Sequence, residues 1–163
     1  MRVMITRSNR RLAPVAVAIA LLGGAGAAQS TGLSERDRAE IQHLSEQYLR
    51  ALNACAAEEY AALFAPGSYF ESTFRGRIEG RDKLIELVRS ERHCAPGAAP
   101  RQGGAPPRVA IEAAGEGAKG FAMLGNDVGA YDDRYVRTPQ GWRFASRTVL
   151  TPKELAARGG SAK

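Results

Sequence analysis

Gly129-Ala130-Tyr131-Asp132-Asp133-Arg134-Tyr135-Val136-Arg137, then Thr138-Pro139-Gln140-Gly141, then Trp142-Arg143-Phe144-Ala145-Ser146-Arg147-Thr148-Val149 is the stretch from which the fold can be read. Two runs rich in aromatic and β-branched residues flank a Pro/Gly turn, which predicts a long antiparallel hairpin. Side chains on a strand alternate faces. Tyr131, Asp133 and Tyr135 therefore share one face, and Asp132, Arg134 and Val136 the other. A carboxyl group between two tyrosines begins a polar pocket or marks a solvated edge, and the rest of the chain must decide which.

Working outward, Leu33-Ser34-Glu35-Arg36-Asp37 opens a helix with Ser34 as N-cap and Asp37 at the third position of a capping box. Ile41, Leu44, Tyr48 and Leu52 recur on one face of it, which ends near Asn53-Ala54-Cys55. A second helix spans Ala57 to Ala65 and is stopped by Pro66-Gly67. Ser68 to Phe74 has strand character, Arg77-Ile78-Glu79 is a short extended piece, and Arg81 to Arg92 is a third helix. Ala95 to Pro107 is rich in Pro, Gly and Ala without periodicity, a flap or an inserted loop. Strands over Arg108–Ala114 and Lys119–Leu124 then lead into the hairpin. Helices first and strands afterwards is an α+β pattern.

The length, 163 residues, is one domain's worth. Residues 1–28 look like a cleaved secretory signal: four arginines, an apolar run from Leu12 to Leu22, then small residues. That run is short for a membrane span. The expectation is an exported protein, periplasmic or secreted, with a domain over 34–150 and a flexible tail over 151–163. The leader's arginines account for four of the 23 basic residues, so the remainder carries 19 against 17 acidic ones. No basic stripe is left to argue for nucleic acid. Cys55 and Cys94 read as one disulfide in an exported chain, with two free buried thiols as the alternative.

Tyr48-Leu49-Arg50-Ala51-Leu52-Asn53-Ala54, Tyr60-Ala61-Ala62-Leu63-Phe64-Ala65, Gly80-Arg81-Asp82-Lys83-Leu84-Ile85, Tyr131-Asp132-Asp133-Arg134-Tyr135-Val136-Arg137 and Gly141-Trp142-Arg143 together resemble the SnoaL-like branch of the nuclear transport factor two-like superfamily. The resemblance covers Ser34 to about Val149. It implies an α+β cone, a curved antiparallel β-sheet wrapped around three N-terminal helices, with a pocket at the open end. The family includes isomerases, dehydratases, polyketide cyclases and hydrolases, but also members with no known reaction, so the fold does not settle the function.

Carried over from the steroid isomerases of this superfamily, the oxyanion tyrosine falls on Tyr48. Their neutral aspartic acid, kept protonated by an apolar site so that it donates a hydrogen bond, falls on Asp133. Their general base falls on Ser72, whose hydroxyl cannot abstract a carbon-bound proton unaided. Glu71 is adjacent but turned to the other face. In related dehydratases histidines supply the acid or base. His43 lies off the apolar stripe, and His93 can reach the cone's mouth or simply cap its helix. Tyr48 can equally be core, with Asp133 as its hydroxyl's partner, and Asp133 can instead pair with Arg143 or Arg147 across the hairpin.

The candidate catalytic set is therefore Tyr48, Asp133 and His93, in a pocket lined by Phe64, Phe70, Ser72, Tyr131, Tyr135 and Trp142. Zinc needs three or four ligands, and His93-Cys94 alone does not supply them, so no metal and no cofactor is expected. The function this implies is binding of a small hydrophobic ligand without turnover. A lyase or isomerase using His93 or Glu71 as base is the second reading. A non-catalytic homodimer is the third, since the family often pairs through its sheet.

Overall fold

Ser34 caps the first helix in both directions: its hydroxyl accepts the Asp37 amide, and the Asp37 carboxylate accepts the Ser34 amide, each at 3.1 Å. This capping box supplies partners for amides that a helix start otherwise leaves unpaired. The computed structural model describes residues 32–99, 101, 103–125 and 128–158. The leader expected over 1–28 lies outside the described residues.

In chain order the elements are α1 (Glu35–Asn53), α2 (Ala57–Ala62), β1 (Phe64–Ser72), β2 (Gly76–Glu79), α3 (Arg81–Arg89), a 3-10 turn (Arg92–Cys94), β3 (Ala110–Ala114), β4 (Gly117–Gly125), β5 (Gly129–Thr138), β6 (Gly141–Leu150) and α4 (Pro152–Ala157). One sheet orders them β2-β1-β6-β5-β4-β3. From β6 to β3 the neighbours are antiparallel. The exception to the expected antiparallel sheet is the joint between β1 and β6, which is parallel, because the β1–β2 hairpin arrives from the helical layer and lies alongside the last long strand.

Helices α1 to α3 bury their apolar stripes on one face of this sheet: Ile41, Leu44, Tyr48 and Ala51, then Tyr60 and Ala61, then Leu84, Leu87 and Val88. Leu52, expected in the first stripe, is only half-buried. The loop before β3 is strapped to α1, where Gln42 accepts the Val109 amide at 3.0 Å and donates to the Pro107 carbonyl.

Three boundaries differ from the sequence reading. Helix α2 stops at Ala62 and β1 begins at Phe64, running through Pro66-Gly67. Pairing of Phe64 with Phe144 on β6 pulls this segment into the sheet, and the Pro/Gly pair is taken up as an irregularity before Tyr69. Helix α3 ends at Arg89, and a separate 3-10 turn carries His93 and Cys94. Residues 152–157, read as part of a tail, form a capped helix. Thr151 and Glu154 form a second capping box, Thr73 donates to Glu154 at 2.7 Å, and Arg158 pairs with Asp132 at 2.6 Å. Residues 159–163 lie outside the described residues.

Candidate functional site

The hairpin has the alternation its sequence predicts on β5: Tyr131, Asp133 and Tyr135 face the helices, and Arg134 faces outward. On β6 the alternation is broken once. Tyr135 pairs with Phe144, but Arg134 pairs with Ser146, so Ala145 is an extra residue on that strand. This bulge puts Phe144 and Arg147 on the same face although they are three residues apart. In a regular strand Arg147 would lie outside, opposite Asp132. Here it lies inside, opposite Asp133.

Asp133 and Arg147 are both fully buried. Arg147 Nε donates to Asp133 Oδ1 at 2.9 Å and Nη2 to Oδ2 at 2.7 Å, a bidentate grip. The Tyr135 hydroxyl donates to the same Oδ2 at 2.7 Å, and Nη2 also reaches Ser45 Oγ on α1 at 3.0 Å. Gly120 on β4 makes the tyrosine bond possible: a Cβ there would lie 2.7 Å from the Tyr135 ring and 2.9 Å from its hydroxyl. The guanidinium carbon sits 4.1 Å from the ring centre of Tyr48, 4.0 Å from Tyr131 and 4.3 Å from Phe144, an aromatic cage that favours a cation. Its remaining nitrogen, Nη1, is buried without a hydrogen-bond partner among the described residues.

The charges follow from this packing. Burial alone would lower the Arg147 pKa, but the charge and hydrogen bonds of Asp133 more than offset it and hold it above its ordinary value. Burial raises Tyr48, with the neighbouring Tyr60 and Tyr131 adding to it. Tyr60 and Tyr131 are raised for the same first reason, and Tyr135 by burial and then by the negative charge of Asp133. All four phenols are therefore held in the neutral form. Tyr60 donates to Tyr48 over a long 3.4 Å.

The structure brings Tyr48, Tyr131, Tyr135 and Asp133 together, with Arg147 standing between the phenol of Tyr48 and the acid. Tyr48's hydroxyl partner is Tyr60, not Asp133. Phe64 joins the cluster of Tyr48, Tyr60 and Phe144 rings, and Phe70 lies beside Arg147 across the β1–β6 joint. Trp142 sits farther along, where its Nε1 donates to Asp37 Oδ1 at 3.1 Å and ties the hairpin to the start of α1. Ser72 accepts the Arg75 amide in the β1–β2 turn. His93 is held elsewhere: its Nε2 donates to the Leu52 carbonyl at 2.9 Å, beside the disulfide that Cys55 and Cys94 form. His43 contacts Gln47 and Glu46 on the exposed side of α1.

Arg147 is the residue that sequence reasoning left open. Counting back from the turn without a bulge pairs Asp133 with Ser146. The one available signal was the cost of a lone inward carboxylate, which calls for a cation. A cleft of about 440 Å³ lies on the outer face of the sheet. It is polar, with Tyr69, Glu71, Asp132, Arg134, Thr148 and Glu154 among its walls.

The profile of the SnoaL-like domain family matches residues 34–148. No curated protein matches the sequence. Among solved structures, a nuclear transport factor two-like protein with a cystatin-like fold from Novosphingobium aromaticivorans is similar at 23% identity. The match covers 78% of this chain and 90% of that one, with a TM-score of 0.58. A putative scytalone dehydratase from the same organism is 17% identical over 71% and 84% of the two chains, TM-score 0.53. LinA is 17% identical over 71% and 86%, also with a TM-score of 0.53. At these identities the likeness shows the fold alone.

Proposed function

The chain belongs to the SnoaL-like domain family, and on that premise we propose that it is an exported protein holding a small, largely apolar molecule inside the cone without turning it over. The observation that carries this is Arg147 Nη1, buried against aromatic rings with no acceptor among the described residues. An unpaired buried donor costs about 1–3 kcal/mol. A ligand oxygen, a ring ketone or an ether, would supply the acceptor, and the surrounding rings would cover the apolar remainder. Asp133 already accepts from Arg147 and Tyr135, so both its oxygens are engaged within the protein. Tyr48, Asp133 and Arg147 are at most 2% exposed, so entry requires the cone wall to part.

The likeness to a putative scytalone dehydratase keeps a lyase as the second reading. Neither base the sequence offered stands at this site: His93 bonds the Leu52 carbonyl and Glu71 lines the outer cleft. The leader's layout and the disulfide support export, and N-terminal sequencing of the protein from its producing cell, beginning near Gln29, would bear it out.

The binding test uses matched pairs of small ring compounds, each ketone beside its parent hydrocarbon, in thermal denaturation. Ligand that binds only the folded state stabilises by mass action, about 2.7 kcal/mol at a hundred times Kd. The ketones should raise the midpoint and the hydrocarbons much less. Equal shifts for both, or none across the panel, would overturn the assignment.

A further inference from the structure

His93-Cys94 offers two neighbouring metal-type ligands in sequence, too few for a site. The fold adds a third. Cys55, at the turn between α1 and α2, comes against the 3-10 turn, and both sulfurs and a ring nitrogen of His93 lie within 4.8 Å of one another. All three residues are half-buried, reachable from solvent yet partly screened from it.

A second observation concerns the imidazole. Its Nε2 faces the Leu52 carbonyl at 2.9 Å. A carbonyl only accepts, so that nitrogen carries the hydrogen and Nδ1 keeps its lone pair. A histidine that ligates a metal characteristically donates its other N–H to a backbone carbonyl or carboxylate, which fixes the tautomer and aims the ring. On His93 that carbonyl bond takes up Nε2, which leaves Nδ1 as the nitrogen to ligate.

We propose that Cys55, Cys94 and His93 form a redox-gated cation site: disulfide when oxidised, and a two-thiolate, one-imidazole site for a zinc-class divalent cation when reduced. An external dithiol opens the bond, giving up two electrons and two protons and leaving as its own disulfide, while Cys55 and Cys94 become thiols. The cation then displaces both thiol protons, which go to solvent, and binds two thiolates and the neutral His93. A tetrahedral zinc with sulfur ligands at about 2.3 Å needs ligand atoms roughly 3.5–3.8 Å apart. Reaching that from the present cluster takes side-chain rotation at both cysteines once the bond is open. Three protein ligands leave a fourth position for water or an exogenous donor, the pattern of an open site. Thiolate softness selects zinc-class cations over magnesium or calcium. The disulfide and the bound cation exclude each other, so each state protects against the other.

Cobalt(II) is the probe, because thiolate ligation gives it charge-transfer and ligand-field absorption. The purified protein, reduced with a phosphine that leaves no competing thiol, should take up one equivalent of cobalt with those bands and exchange it for zinc. The oxidised protein should take up none. His93→Gln, which keeps both thiols, should weaken uptake at least tenfold, and Cys55→Ser with Cys94→Ser should abolish it. Circular dichroism on the same samples shows whether the reduced chain remains folded. Reduced, folded protein without thiolate bands would overturn the proposal, as would equal uptake by the oxidised protein or the double serine variant. Loss of fold on reduction that cobalt does not reverse counts against it equally.

Discussion

Arg147 and Asp133 stand directly opposite each other on β6 and β5, and the guanidinium holds the carboxylate through two nitrogens at 2.9 and 2.7 Å with neither residue exposed. Such a pair gains its attraction only after both ions have been stripped of water, so losing one partner is far worse than losing both. Asp133→Leu or Arg147→Met alone should each cost about 3–5 kcal/mol. Asp133→Leu combined with Arg147→Met should cost much less than the two losses added. Chemical denaturation of the four proteins in a double-mutant cycle measures this. Additive losses would show that the two side chains act independently.

Tyr135→Phe removes one hydrogen bond to a charged acceptor and nothing else of size. A loss of about 1.5–3 kcal/mol is expected, read from the same denaturation curves. Gly120→Ala should cost a comparable amount by a different route, since its new methyl would meet the Tyr135 ring and hydroxyl as well as Val109. In the Tyr135→Phe background part of that penalty should disappear. Full persistence of the alanine penalty there would mean that Val109 and the ring at position 135, not the hydroxyl, are the obstacle.

Most of the frame was legible because it depends on periodicity and caps. Ser34 and Asp37 mark the first helix, Pro139 to Gly141 the hairpin turn, and the Tyr131/Asp133/Tyr135 face follows from alternation alone. The resemblance also placed Tyr48 and Asp133 in one interior. Arg147 was legible only as an alternative, because a bulge leaves no local mark: Ala145 has no unusual propensity, and its extra place in the strand is set by how β6 fits two neighbours at once. The approach of Cys55 to the turn that carries His93 was legible, because Cys55 and Cys94 read as one disulfide; what the sequence did not show is which way the imidazole faces, and that is set by its bond to the Leu52 carbonyl. The α4 helix was missed for a simpler reason. Thr151-Pro152-Lys153-Glu154 is itself a capping box with proline at the first turn.

The disulfide closes a loop of 39 residues, for which the chain-entropy model gives about 4 kcal/mol. Reduction should lower the stability of metal-free protein by roughly that amount, measured by urea denaturation with and without the phosphine. An unchanged midpoint would indicate that the reduced, unfolded chain already keeps these segments together.

Glu154 ties α4 to the sheet, and its pH response has a definite sign. The Thr151 amide, with the Thr73 and Thr151 hydroxyls, draws its carboxyl from an ordinary 4.5 down to about 2. A value depressed in the folded state stabilises fully above the unfolded value and is lost as pH falls through the folded one. Helix α4 should therefore loosen between about pH 4.5 and about 2, seen as falling protection of its amides in hydrogen exchange. Glu154→Gln should remove that pH dependence, and protection that still falls with the glutamine in place would assign it to another group.

Ala145 works as a parity bit. Phe144 and Arg147 are an odd number of steps apart, yet the kinked ladder counts them as even. Deleting the alanine would leave two steps between them and the guanidinium still indoors, whereas ironing the kink flat at constant length would swap the guanidinium for the hydroxyl of Ser146 and leave the Asp133 carboxylate without its cation. Whether the inward acid meets a cation or an alcohol is thus decided by counting, not by the chemistry of any residue that lines the cone.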